Sequence, residues 1–155
     1  MTLKNNDFAP ALRLPDQHGH MVDLASYKGQ WVLLYFYPKD DTPGCTKEAC
    51  GLRDKSPSFK DLGLTVVGVS PDSVASHKKF ADKFGLTFPL LSDENKEVVE
   101  RYGVWGKKKF MGKEFMGVNR TSFLIDPDQR IERVYAPVKP EVHAAEVLKD
   151  IEDLL

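Results

Sequence analysis

The sequence predicts an α/β fold with a mixed central sheet, and three observations carry that expectation. Two runs, residues 31–37 (WVLLYFY) and 64–70 (LTVVGVS), are almost continuously apolar, which suits strands buried on both faces. The stretch between them carries helix formers, so the two strands are joined by a crossover. Further on, 121–126 (TSFLID) and 130–135 (RIERVY) flank Asp126-Pro127-Asp128-Gln129. That is a turn by composition, and the pair reads as a β-hairpin.

Each element follows in chain order. The first 30 residues, with Pro10, Pro15 and Gly19, read as an extra hairpin ahead of the core. Residues 43–55 form a helix, with Thr42 as its N-cap and Pro43 at the first helical position. In 74–84, Val74, His77, Ala81 and Phe84 stand at helical spacing. Residues 96–102 read as a short helix. Residues 103–120 hold four glycines and four lysines and read as a long loop of the kind that carries function. After the 121–135 hairpin, Val142, Ala145, Leu148, Ile151 and Leu155 line one face of a C-terminal helix, with Pro140 near its first turn. The order is strand, helix, strand, helix, helix, hairpin, helix, and a thioredoxin-like layout is one of few small folds with it. No repeat, low-complexity segment or linker divides the chain, so a single domain over 1–155 is expected.

Composition excludes several classes. Of 155 residues, 41% are hydrophobic and 29% charged, which is ordinary globular usage and unlike disordered or fibrous chains. Lys+Arg number 22 and Asp+Glu 23, a net charge of −1, so no basic excess exists to bind a phosphate backbone. The longest apolar run, Trp31–Tyr37, is seven residues, against about 20 for a membrane helix. The opening MTLKNNDFAPALRLPDQ lacks the basic and apolar regions of a signal peptide, so a cytoplasmic location is expected.

The two cysteines, Cys45 and Cys50, carry the chemistry. A bridge closing so short a loop contributes only about 2 kcal/mol on the chain-entropy picture, and the reducing cytosol disfavours it. A catalytic, redox-sensing or metal-binding pair fits better. Cys45 falls at the third helical position, where free backbone N–H groups and the positive end of the helix dipole favour thiolate over thiol. The Thr42 hydroxyl is expected near the Cys45 amide and sulfur. In an intact helix, Cα atoms five residues apart lie about 8–9 Å from each other, whereas a disulfide needs about 7 Å or less. Pairing Cys45 with Cys50 therefore requires the helix to unwind. A zinc site would need ligands from His18, His20, His77 or His143, and no H-x₃₋₅-H pair follows the cysteines. The histidines read as ordinary polar residues. Arg120, just before the TSFLID strand, is the cation expected beside Cys45, with Arg53 as its rival. The lysines at 107–109 read as solvated.

At these residues the sequence closely resembles peroxiredoxins. Pro38, Thr42 and Cys45 meet the motif Pro-x-x-x-Thr/Ser-x-x-Cys, and TPGCTKEACGLRD is similar to the bacterioferritin comigratory, or Q-type, branch. LPDQHG, VLLYFYPK, LLSDE, YGVWG, FMG and R-x-SFLID extend the likeness along the whole chain. Glu48 stands where many relatives carry glutamine. The resemblance implies a thioredoxin fold with an N-terminal extension and thiol-dependent reduction of hydrogen peroxide and alkyl hydroperoxides. It implies that Cys45 is the peroxidatic cysteine and Cys50 the resolving one. Thr42 and Arg120 match the activating pair, and Pro38 the proline that shields the pocket. An intramolecular Cys45–Cys50 disulfide would be recycled by thioredoxin, or alternatively glutaredoxin, with no cofactor or metal. A monomer is expected. A stoichiometric thiol-switch sensor and a general disulfide oxidoreductase are the competing readings, although the Cys-x-x-Cys of the latter is absent.

Overall fold

The computed structural model describes residues 2–155; Met1, the first residue of the predicted domain, lies outside the described residues. A small antiparallel hairpin, β1 (Arg13–Pro15) and β2 (Met21–Asp23), precedes the core. Then come β3 (Trp31–Phe36), α1 (Pro43–Asp61), β4 (Leu64–Ser70), α2 (Val74–Phe84), β5 (Leu90–Ser92) and α3 (Glu97–Arg101). A second separate hairpin, β6 (Trp105–Phe110) and β7 (Lys113–Val118), leads to β8 (Thr121–Ile125), β9 (Ile131–Tyr135) and α4 (His143–Leu154). The central sheet has the order β5-β4-β3-β8-β9. β3, β4 and β5 run parallel, and β8 and β9 are antiparallel to their neighbours. This is the thioredoxin-like layout that the element order predicts.

Strand periodicity divides the core. Leu33, Tyr35 and Tyr37 face α1 and α4, where they pack with Cys45, Leu52, Phe59, Val147 and Ile151. Val32, Leu34 and Phe36 face the other way, toward Val98, Val99, Tyr102 and Phe123. Burying one such side chain contributes roughly 1.5–3 kcal/mol, so α1 is fixed to the sheet chiefly by Ala49, Leu52 and Phe59. Gly68 on β4 is required by this packing, because a Cβ there would stand 2.8 Å from the Tyr35 ring.

Four details depart from the sequence expectations. The helix predicted over 43–55 runs on to Asp61, with Pro57 inside it; Pro57 forgoes one amide bond, and the Ser56 hydroxyl adds one to the Leu52 carbonyl at 2.8 Å. Residues 103–120 are not a loop but the β6–β7 hairpin, turning at Met111 and Gly112, both at positive φ. Apart from Val118 its residues are exposed or half-buried, so no apolar alternation marks the strands. β5 has too few residues to leave a pattern. In α4 the buried stripe is His143, Ala144, Val147 and Ile151, while Val142 and Leu155 are exposed. The expected stripe treats His143 as polar, whereas its ring is buried on the Ser122 hydroxyl, Nε2 to Oγ 2.8 Å.

Candidate active site

The site lies at the carboxyl end of β3, where open α/β sheets place their ligands. The chain leaves Phe36, passes the half-buried Pro38 and turns back into α1 through Asp41, whose φ of 56° is left-handed. Thr42 has the extended backbone of an N-cap, and its carbonyl accepts the first helical bond, from Thr46 N at 2.8 Å. Its hydroxyl does not cap the helix. It donates instead to the Lys39 carbonyl at 2.9 Å, which the tight turn brings within reach. The expected contact of that hydroxyl with the Cys45 amide is thereby corrected, and the oxygen keeps lone pairs for an incoming donor.

Cys45 occupies the third helical position and is buried, 1% exposed. Arg120, placed by the start of β8, donates from Nη2 to Cys45 Sγ at 3.1 Å and from Nη1 to Glu48 Oε1 at 2.7 Å. Arg53 points elsewhere, donating to the Phe84 carbonyl at 2.6 Å and to Asp54. Arg120 is therefore the cation beside the sulfur. Gly44 leaves it room, since a Cβ there would stand 3.1 Å from Arg120 Nη2. Burial works against the charge of Arg120, but Cys45 and Glu48 outweigh it and hold the guanidinium more firmly protonated. For Glu48 the balance is reversed. Burial outweighs the attraction of Arg120 and pushes its carboxyl up to about 7.

Cys50 lies half-buried on the next turns of α1, and both cysteines are free thiols. Neither cysteine joins a histidine in a metal-spaced cluster among the described residues. Such spacing occurs instead at Asp40, Asp72 and His77. There Asp40 and His77 are 2.7 Å apart and hydrogen-bonded to each other.

Four neighbours of the site carry no motif in the sequence. Glu48 orients Arg120; its one signal is its place three residues after Cys45, on the same helical face. Lys108, expected to be solvated, donates to the Val118 carbonyl at 2.9 Å. Burial and the nearby Arg120 lower its pKa, against an opposing pull from Cys45. His143 is buried beside β8, where burial and then Arg120 bring it down to about 4. His77, on the inner face of α2, is also fully buried and bonded to Asp40.

Residues 6–134 match the AhpC/TSA family. The chain is 51% identical over 146 residues to peroxiredoxin Bcp of Escherichia coli K12, covering 94% of each. It is 46% identical to peroxiredoxin Bcp of Bacillus subtilis, covering 99% of this chain and 98% of that one. Among solved structures, a cysteine-to-serine mutant of Xylella fastidiosa PrxQ superposes with a TM-score of 0.94 at 35% identity, covering 99% of this chain and 98% of that one. The bacterioferritin comigratory protein of Xanthomonas campestris, from a study of its alkyl peroxide reduction, superposes with a TM-score of 0.87 at 36% identity, covering 92% and 91%. With the cysteine helix, the facing arginine and the sheet order in place, these likenesses are decisive: the chain belongs to the AhpC/TSA family, in its Bcp or Q-type peroxiredoxin branch.

Proposed function

We propose that the protein is a two-cysteine peroxidase that reduces hydrogen peroxide and alkyl hydroperoxides, and that a thioredoxin-type dithiol protein recycles it in the cytoplasm. The observation that carries this reading is Arg120 Nη2 at 3.1 Å from Cys45 Sγ, at a helix start. The Cys45 thiolate attacks the terminal oxygen of ROOH. The S–O bond forms as the O–O bond breaks, sulfur is oxidised to sulfenic acid, and RO⁻ takes a proton to leave as water or alcohol. Arg120 and the free N–H groups of the helix start hold both oxygens and stabilise charge as it develops. Thr42 Oγ1, its hydrogen spent on Lys39, accepts the hydroperoxide hydrogen. Pro38 shields the pocket from water. Once α1 unwinds, the Cys50 thiol condenses with the sulfenic acid, giving the Cys45–Cys50 disulfide and one water. A dithiol protein then reduces that disulfide by exchange and is itself oxidised. The cycle balances on sulfur alone, so it uses no cofactor, and a monomer contains every residue named.

Steady-state peroxide consumption with thioredoxin, its reductase and the nicotinamide reductant tests this. The wild-type protein should turn over many times and Cys45→Ser not at all. Consumption of a single equivalent would make the protein a sensor, and equal rates in the two would remove Cys45 from the reaction.

A further inference from the structure

We infer that Asp40, His77 and Tyr37 form a buried clamp that fixes the loop carrying Pro38 and Thr42, and so act as positioning residues for peroxide attack at Cys45. The inference rests on the peroxidase reading above. Asp40 is 8% exposed and His77 is fully buried, yet both are saturated with partners. Asp40 Oδ1 accepts from Tyr37 Oη at 2.6 Å, and Oδ2 accepts from Ser76 Oγ at 2.8 Å. His77 Nε2 stands 2.9 Å from the Leu91 carbonyl, which only accepts, so Nε2 carries a hydrogen. His77 Nδ1 and Asp40 Oδ2 share another at 2.7 Å. The Asp40 backbone N–H donates to Asp72 Oδ2 at 2.8 Å, and that oxygen also accepts from Ser70 Oγ at 2.7 Å.

Asp40 thus ties the active-site loop, through its side chain, to Tyr37 after β3 and to Ser76 and His77 on α2, through its amide to Asp72 after β4, and through His77 to Leu91 on β5. Two residues further on is Thr42, and five residues on is Cys45. None of the clamp groups donates to Cys45, Arg120 or Glu48, so the clamp acts through backbone position. Misplacing a reacting group by about 1 Å costs on the order of a hundredfold in rate. The clamp ends where α1 begins. It should therefore govern peroxide attack without governing the later unwinding of α1.

The test uses the full-length reduced protein and the variants His77→Asn, Asp40→Asn and Tyr37→Phe, the last keeping the buried ring. Stopped-flow mixing with hydrogen peroxide gives the rate of Cys45 oxidation, and quenched mass analysis gives the rate of Cys45–Cys50 disulfide formation. Amide exchange of 39–46 against 50–61 reports the loop without any need for peroxide. His77→Asn and Asp40→Asn should slow Cys45 oxidation by roughly ten- to a hundredfold, and Tyr37→Phe by less. Disulfide formation should stay within threefold, and exchange should rise in 39–46 alone. Lys83→Ala, which cuts the exposed pair with Asp41 and the contact of its ammonium with the Phe84 ring, should leave all three readouts unchanged. Wild-type peroxide rates in the folded variants would overturn the clamp. So would faster disulfide formation alongside exchange spread through 50–61, since that marks general destabilisation. If His77→Asn fails to fold, Tyr37→Phe and Asp40→Asn decide by the same readouts. A wild-type protein that consumes no peroxide would refute the peroxidase reading; the exchange pattern would then still judge whether the clamp holds the loop.

Discussion

Two adjoining segments of the site are held in opposite ways. The loop from Pro38 to Thr42 is fastened by buried and half-buried side chains: Tyr37, Ser76 and His77 converge on Asp40, and Asp72 holds its amide. The first turns of α1, from Pro43 to Gly51, are held by the packing of Cys45, Glu48 and Ala49 and by Arg120, which bonds to Cys45 and Glu48, but two glycines interrupt them. Gly44 lies against Arg120 and Pro140, and Gly51 faces Ala144, whose Cβ would stand 3.6 Å from one built at Gly51. Glycine disfavours helix by roughly 1 kcal/mol per residue. The difference teaches a division of labour. On the proposed mechanism the anchored loop would keep Thr42 in place for peroxide attack, and the glycine-interrupted helix would open so that Cys50 reaches Cys45.

Blocking the step that needs α1 to open should have the largest effect. Cys50→Ser should react once with peroxide and then stop, accumulating sulfenic or over-oxidised Cys45. Mass analysis after one and ten equivalents of peroxide checks this, and full thioredoxin-driven turnover would show that the reductant attacks the sulfenic acid directly. Next comes the arginine between the halves. Arg120→Lys keeps the charge but loses the fork that spans Cys45 and Glu48, and should slow peroxide attack about a hundredfold. Arg53→Lys should stay within twofold, and similar losses in the two variants would refute the choice of Arg120.

The two glycines sharpen the comparison. Gly51→Ala has room for its methyl and stabilises the helix by about 1 kcal/mol, so it should slow disulfide formation about fivefold and spare peroxide attack. Gly44→Ala presses on Arg120 and should do the reverse, slowing attack by roughly tenfold. Rapid-quench measurement of the two steps separates them, and identical profiles would contradict the division.

The smallest effects are on stability against pH. The native protein keeps a proton on Glu48 up to about 7, whereas the ordinary value is 4.5, so this group costs stability as pH rises between them. His143 resists protonation down to about 4, against an ordinary 6.5, so it costs stability as pH falls through that range. The two oppose each other between about pH 4.5 and 6.5. Relative to wild type, Glu48→Gln should gain stability as pH rises there, and His143→Asn as pH falls. Denaturant titrations of the reduced protein at several pH values check this, and slopes of the same sign would contradict the burial of one of the two.

Much of this was legible before any coordinates. The apolar runs mark β3 and β4 because strands buried on both faces leave no polar alternation, and Val74–Phe84 is a helix with the bounds its spacing predicts. The Thr-Pro-Gly-Cys turn places Cys45 on the α1 start. What stayed hidden depends on distant partners. The spacing of Val74, His77, Ala81 and Phe84 puts His77 on the inner face of α2, but Asp40 lies 37 positions away and nothing local pairs the two. The β6–β7 hairpin escapes because no core selects its side chains. Thr42 shows the finer limit: its N-cap backbone follows from residue type, but the partner of its hydroxyl is set by where the Lys39 carbonyl falls.

The most direct test of the central claim is amide hydrogen exchange along residues 37–61, in the reduced protein and in the peroxide-oxidised disulfide form. An intact helix holds the Cα atoms of Cys45 and Cys50 about 8–9 Å apart, beyond disulfide reach. Oxidation should therefore strip protection from about Pro43 to Arg53 while the amides of Tyr37 and Asp40 stay protected. Equal protection of 43–53 in the two states would contradict the claim, because the bond would then form without unwinding or Cys50 would not be the partner of Cys45.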